Sequence, residues 1–233
     1  MTVEHAVVAP NPVLSVVIPS VPAHDHSRTV EHLRSQTFTD PYEVLVVDDA
    51  SLDRSAARNR GLESAAADVV ALTDDDTAPP PEWLATIHRA FANNPDLVCL
   101  EGPVYGGCRS DVPRHYVGCN LAVRRADALA VGGFKSEFSE WREDVEFGWR
   151  MERDADGTCR FDPAMRMCHP SVPRTAFDAT LEHELKTSYP HRYATIMNAS
   201  VRKRLYRRCR SAGLTQPIHR LLNALGYRRS VGD

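Results

Sequence analysis

Val69-Val70-Ala71-Leu72-Thr73-Asp74-Asp75-Asp76-Thr77-Ala78-Pro79-Pro80-Pro81 decides the fold. An apolar run of this length, closed by acids and prolines, reads as a buried strand. Three carboxylates then fall at the carboxyl end of that strand, where open α/β sheets bind ligands. Crowded into a cleft they repel one another, so a cation is their natural partner. Carboxylate oxygens suit Mg²⁺ or Mn²⁺, which proteins commonly hold through one or two carboxylates plus substrate phosphates. The plain alternative is a turn, since aspartate is common in loops and at helix N-caps.

Working back from this strand, Val13–Pro19 is a continuous apolar run with β-branched residues, and Tyr42–Val47 is another that runs directly into Asp48-Asp49. Between them Ser27 or Thr29 can cap a helix that continues to Gln36. Asp53 can cap a second helix over 54–66. The order β-α-β-α-β implies parallel strands with crossover helices. Both acidic clusters then lie on one rim, and their pairing is more specific than either alone. Working forward, 82–93 reads as a helix, 97–102 and 120–123 as strands, 125–131 as a short helix stopped by Gly132-Gly133, and 144–153 as a helix. Residues 160–169 contain a further short strand, and a helical pattern begins at Leu181. Gly132-Gly133-Phe134 has neither dinucleotide-loop nor Walker spacing and is read as a helix stop.

Composition sets outer bounds. The 233 residues carry a formal net charge of −3, with an uneven distribution. Residues 1–198 hold 30 acids and 19 bases, whereas 199–233 hold 9 bases and 1 acid. The basic tail either packs on its own domain as a solvated helix or lies on an anionic membrane surface. With few aromatics for stacking, it is a poor nucleic-acid binder. The six cysteines form no C-x-x-C pair, which argues against a zinc knuckle. With no leader-like or membrane-spanning run, the expected setting is the cytoplasm with reduced thiols, and any membrane contact peripheral at the inner face. The expected division is a flexible tail over 1–12, a catalytic domain over 13–180 (13–102 for the nucleotide, 103–180 for the acceptor) and a basic helical extension over 181–233.

Five segments, VLSVVIP (13–19), EVLVVDDASLD (43–53), ARNRGLESAAADVVALTDDD (57–76), CNLAVRRADALAVGGF (119–134) and EDVEFGWRM (143–151), together resemble the successive motifs of family 2 glycosyltransferases of the GT-A fold. The resemblance spans roughly 13–170 and is specific because order and spacing both match. It implies a Rossmann-like mixed, mostly parallel sheet flanked by helices, and a metal-dependent, inverting, non-processive transfer from a nucleotide-diphosphate sugar, UDP-linked by first expectation, to a hydroxyl on a glycan, a lipid-linked or a small-molecule acceptor. On the same ground Asp48 binds the base, Pro19 and Ser20 line its pocket, and Arg58 sits near the nucleotide. Asp74 or Asp75 lies near the ribose and metal, and Asp76 ligates Mn²⁺ or Mg²⁺ with His169. Glu143-Asp144 is the catalytic pair with Asp144 as base, and Trp141 contacts the acceptor.

The chemistry is self-consistent. The leaving diphosphate gains charge that a divalent cation can offset. The attacking hydroxyl loses a proton that a placed carboxylate can accept. Rival readings fit less well. A sugar nucleotidyltransferase wants a glycine-rich basic loop after the first strand, and 20–27 has no glycine and no basic cluster. A D-x-D-x-T phosphatase wants its threonine one position later than Thr77. A non-catalytic nucleotide-sugar-binding module has no need for both Asp76 and Asp144.

Overall fold

The computed structural model describes residues 3–107, 110–139, 141–170 and 177–197. The chain divides into two units, 1–173 and 174–233. The first is built on a seven-stranded mixed sheet of order β1-β3-β2-β4-β7-β5-β8. Its strands are β1 (Val3–Val7), β2 (Leu14–Ser20), β3 (Tyr42–Asp48), β4 (Val69–Leu72), β5 (Leu97–Glu101), β7 (Leu121–Arg124) and β8 (Thr158–Phe161). β6 (Val104–Gly106) and β9 (Met167–His169) pair separately, in parallel.

β3, β2 and β4 form the expected parallel core, joined by the crossover helices α1 (Ser27–Arg34) and α2 (Arg54–Ser64). β2 and β4 are buried along their whole length. This is why they read as unbroken apolar runs without alternation. β7 then enters antiparallel to both β4 and β5, and β8 returns parallel to β5.

Two local expectations change. Residues 1–12, expected to be a flexible tail, contribute β1, which pairs antiparallel with β3. Its half-exposed, short sequence carries little apolar signal, so only the free edge of β3 identifies it as a strand. Thr29 does not cap α1. The N-cap is His26 without a side-chain bond, and the Thr29 hydroxyl instead donates to the carbonyl oxygens of Asp75 and Thr77 at 2.8 Å each. Asp53 does cap α2, accepting from the Ala56 N–H at 2.8 Å.

α3 (Trp83–Ala92) buries Trp83, Leu84, Ile87 and Phe91 against the sheet. Each such side chain contributes about 1.5–3 kcal/mol by leaving water. α4 (Arg125–Ala130) ends at Gly132 and Gly133, with φ of 92° and 62°. Positive φ is inexpensive only for glycine. The turn they make presents its carbonyls to α5 (Glu143–Asp154): Arg150, paired with Glu146, donates to Val131 and Gly133 oxygens. Phe134 stacks on Phe147 at 4.0 Å between centroids, and both backbone groups of Phe134 bond the Asn59 amide. In this way α5 is locked to α2.

In the second unit, α6 (Ala179–Ser188) is capped by Asp178, and Tyr193 donates to Glu182 at 2.6 Å. The short α7 (Pro190–Arg192) leads into a π-turn over Tyr193–Met197. The basic run 202–229, expected to be a helical extension, lies outside the described residues. Among the described residues no helix is long and apolar enough to cross a membrane.

Candidate active site

The carboxyl ends of β3, β2 and β4 lie side by side, so Asp48, Ser20 and the Asp74–Asp76 triplet are neighbours. Ser20 is the register partner of Asp48, and its hydroxyl donates to Asp75 Oδ2 at 2.9 Å. His24 Nδ1 approaches the same oxygen at 3.1 Å. Asp75 is thereby taken up by the loop that follows β2. Asp48 is half-buried, and its Oδ1 is shut off from solvent with no hydrogen-bond partner among the described residues. A buried carboxylate oxygen without a donor is costly. A ligand N–H or O–H would satisfy it. Pro19 is buried within β2, beneath this row.

Arg58 reaches this rim from within the fold. It is 1% exposed, and two of its guanidinium nitrogens donate to carboxylates. Nη2 donates to Asp74 Oδ1 at 2.9 Å and Nη1 to Glu143 Oε1 at 3.0 Å. Arg54 adds a second, weaker contact to Glu143 at 3.3 Å. The planar fork of arginine suits this bridging task, which a lysine cannot perform. Gly118 is required beside it, because a Cβ there would stand 2.7 Å from Arg58 Nη2.

The acid pair opens α5. Arg142, at φ 60°, turns the chain in left-handed geometry, which costs about 1–2 kcal/mol for a residue with a Cβ. Asp144 is half-buried and accepts from the Gly118 N–H at 2.9 Å and the Val145 N–H at 2.8 Å. Burial nevertheless raises its pKa against those donors and Arg58. Burial, then the neighbouring Asp144 charge, lifts Glu143 to about 7, with Arg58 and Arg54 opposing. The upward shift at Asp144 suits a group that must accept a proton near neutrality.

On the other side of Asp74, His169 Nε2 lies 3.5 Å from Asp74 Oδ2 and 3.6 Å from Asp76 Oδ1. Burial opposes protonation of the ring, but Asp74 and Asp76 outweigh it and raise the His169 pKa. For Asp74 burial is likewise outweighed, by Arg58 and His169, and its carboxyl is held far below the usual range. Asp76 is the more open acid, its side chain 45% exposed. Asp74, His169 and Cys119 bring one ligand atom each to within 4.8 Å of one another. A carboxylate, an imidazole and a thiol converging in this way can hold a divalent cation.

Asp74, Asp76, Glu143 and His169 are thus linked through Arg58 and the imidazole, with Asp144 next to Glu143 in sequence and Asp48 and Asp75 adjoining through Ser20. Trp141 lies two residues before Glu143. It is 4% exposed, with the Arg142 guanidinium 5.0 Å from its ring centre. Sequence reasoning missed Cys119, Arg54 and the Gly118 N–H. Cys119 opens the CNLAV segment, but it lies far in sequence from Asp74 and His169, and no spacing rule joins the three.

Residues 52–145 match the family model for Glycosyl transferase family 2. The glucosyl-dolichyl phosphate glucuronosyltransferase of Haloferax volcanii is 32% identical, over 46% of this chain and 50% of that protein. The chain therefore spans about half the length of that curated relative. Among solved structures, S. aureus TarS 1-349 in complex with UDP-GlcNAc superposes with a TM-score of 0.61 at 16% identity, covering 75% of this chain and 64% of that one. A second S. aureus TarS structure gives 0.58 at 17% identity, covering 68% of this chain and 36% of that one. At such identities the likeness to TarS concerns the fold.

Proposed function

We propose that this chain, which carries the glycosyl transferase family 2 domain, transfers a sugar from a nucleotide-diphosphate sugar to an acceptor hydroxyl, with inversion and with the help of a divalent cation. The observation that carries the reading is the Asp74–Arg58–Glu143 bridge, which ties the donor-side carboxylates to the acid pair at the head of α5. The donor base is bound through the orphaned Asp48 oxygen beside Ser20. A uridine offers one N–H that suits a single buried carboxylate oxygen, and the fold is shared with a TarS structure holding UDP-GlcNAc. The name of the Haloferax relative favours a lipid-phosphate-linked sugar as acceptor.

Asp74, Asp76 and His169 would hold the cation, Mn²⁺ or Mg²⁺ by the first expectation, and the donor set of two carboxylates and an imidazole fits it. When bound, a cation offsets the charge that builds on the leaving diphosphate. The chain's own residues do the rest. Asp144, fixed by the Gly118 and Val145 N–H groups, accepts the proton of the attacking hydroxyl. Glu143 is too buried to meet substrate. It holds Arg58, and through it Asp74, in place.

The test is release of UDP from a panel of UDP-sugars, with and without lipid-phosphate acceptors and with Mn²⁺ or Mg²⁺. Turnover that chelation stops, and that Asp76→Ala and Asp48→Asn each lower by tenfold or more, supports the reading. UDP-sugar binding with no turnover under any condition would leave a binding module instead.

A further inference from the structure

A further donor atom lies beside the proposed cation site. Cys119 lies in the 3-10 turn Gly118–Asn120 that leads into β7, and it is 1% exposed. Both of its neighbours are pinned. The Gly118 N–H is bonded to Asp144. The Asn120 side chain accepts from Trp83 Nε1 at 2.8 Å and donates to Met165 and Pro103 oxygens at 2.7 and 3.2 Å. The thiol therefore has a fixed backbone beneath it. Its sulfur faces the atoms of Asp74 and His169, all three within 4.8 Å of one another.

We propose that Cys119 Sγ is a further protein ligand of that cation, beside Asp74 Oδ2 and His169 Nε2, so that the site prefers a thiophilic divalent ion such as Zn²⁺ over Mg²⁺. Asp74 can serve because its two oxygens are divided: Oδ1 is held by Arg58, while Oδ2 faces His169 at 3.5 Å. That separation is close to the spacing of two ligand atoms that share an ion at about 2.0–2.3 Å. One oxygen, one nitrogen and one sulfur leave an open position, as zinc sites that take a substrate atom do. Asp76, whose side chain is 45% exposed, has its Oδ1 3.6 Å from His169 Nε2, so the open position is the one that it or a phosphate oxygen would take. Thiolate and imidazole select zinc, cobalt or cadmium, whereas a hard oxygen set selects magnesium or manganese. Coordination displaces the thiol proton to solvent, so binding tightens with rising pH.

The proposal rests on the cation-site reading, and the experiment separates the two. Metal-free protein is titrated with Co²⁺ and followed by absorption. A thiolate-to-cobalt charge-transfer band in the near ultraviolet, with visible d–d bands and displacement of both by Zn²⁺, is the expected result. Cys119→Ala should lose the charge-transfer band, retain d–d bands, and bind Zn²⁺ more weakly by about 100-fold or more, since even outer-shell partners are worth about 10–100-fold. Cys168→Ser, a change at the exposed thiol beside His169, should keep the band. Cobalt d–d bands without charge transfer in the wild type would overturn the role of Cys119 and leave the cation site standing. No cobalt binding at all would overturn both. Because the wild-type spectrum decides, the test does not depend on the variant folding.

Discussion

Arg58 and Glu143 meet in the interior at 3.0 Å, joining α2 to the first turn of α5. Both side chains are almost wholly buried, at 2% and 3% exposure. The same guanidinium reaches Asp74, so one residue aligns the end of β4 with the head of the helix that carries Asp144.

Arg58→Met should destabilise the fold by about 3–5 kcal/mol, because it strands a buried carboxylate without its counter-charge. Glu143→Gln should cost less, and the double variant less than the sum of the two. Urea denaturation of the four proteins measures this. Full additivity would mean that the bridge carries no coupling.

Asp144→Asn keeps an oxygen for the Gly118 N–H but cannot accept a proton. Turnover should fall by about 10²–10⁴ while UDP affinity stays close to the wild type. Initial-rate kinetics alongside UDP titration by calorimetry separates these quantities. A comparable loss in both would reassign Asp144 to donor binding.

Stability should fall as pH rises from about pH 5 to about pH 8 in the presence of chelator. Glu143 is lifted by burial and by Asp144 to about 7 from 4.5. The folded chain therefore retains a proton that the unfolded chain releases over that interval, and the penalty is complete above it. His169, raised above 6.5 by Asp74 and Asp76 against burial, contributes stability that is full below its unfolded pKa and fades above its folded one. The two slopes have the same sign. Denaturation midpoints across this range should decline, Glu143→Gln should flatten the lower part, and a rising midpoint would contradict both assignments.

Gly148→Ala should destabilise by about 1–3 kcal/mol, the usual cost of overfilling a packed site. A Cβ at this helical position would stand 2.1 Å from Tyr116 Cγ. Tyr116 is itself fixed, its N–H donating to Glu101 and its hydroxyl to Glu152. A thermal melt unchanged by the substitution would show that the ring can move aside.

The parallel core and its acidic rim were legible in the sequence because their signals are local. Unbroken apolar runs mark strands buried on both faces, Asp53 marks a helix start, Gly132-Gly133 marks a stop, and carboxylates at strand ends fall on one rim by the topology of a parallel sheet. The edge strand Val3–Val7 was not legible, since its pairing depends on the free edge of β3 rather than on its own pattern. Nor was the bridging of Asp74 and Glu143 by Arg58, since the three lie far apart in sequence and only packing joins them. The same holds for Cys119 and His169, which the antiparallel entry of β7 and the β6–β9 pair carry to the end of β4. Residue types and local periodicity determine which acids and strands exist. Which carboxylate is neutralised by arginine, which faces a histidine and a thiol, and which stays open to substrate follows from distances of a few ångströms that only the packed chain sets.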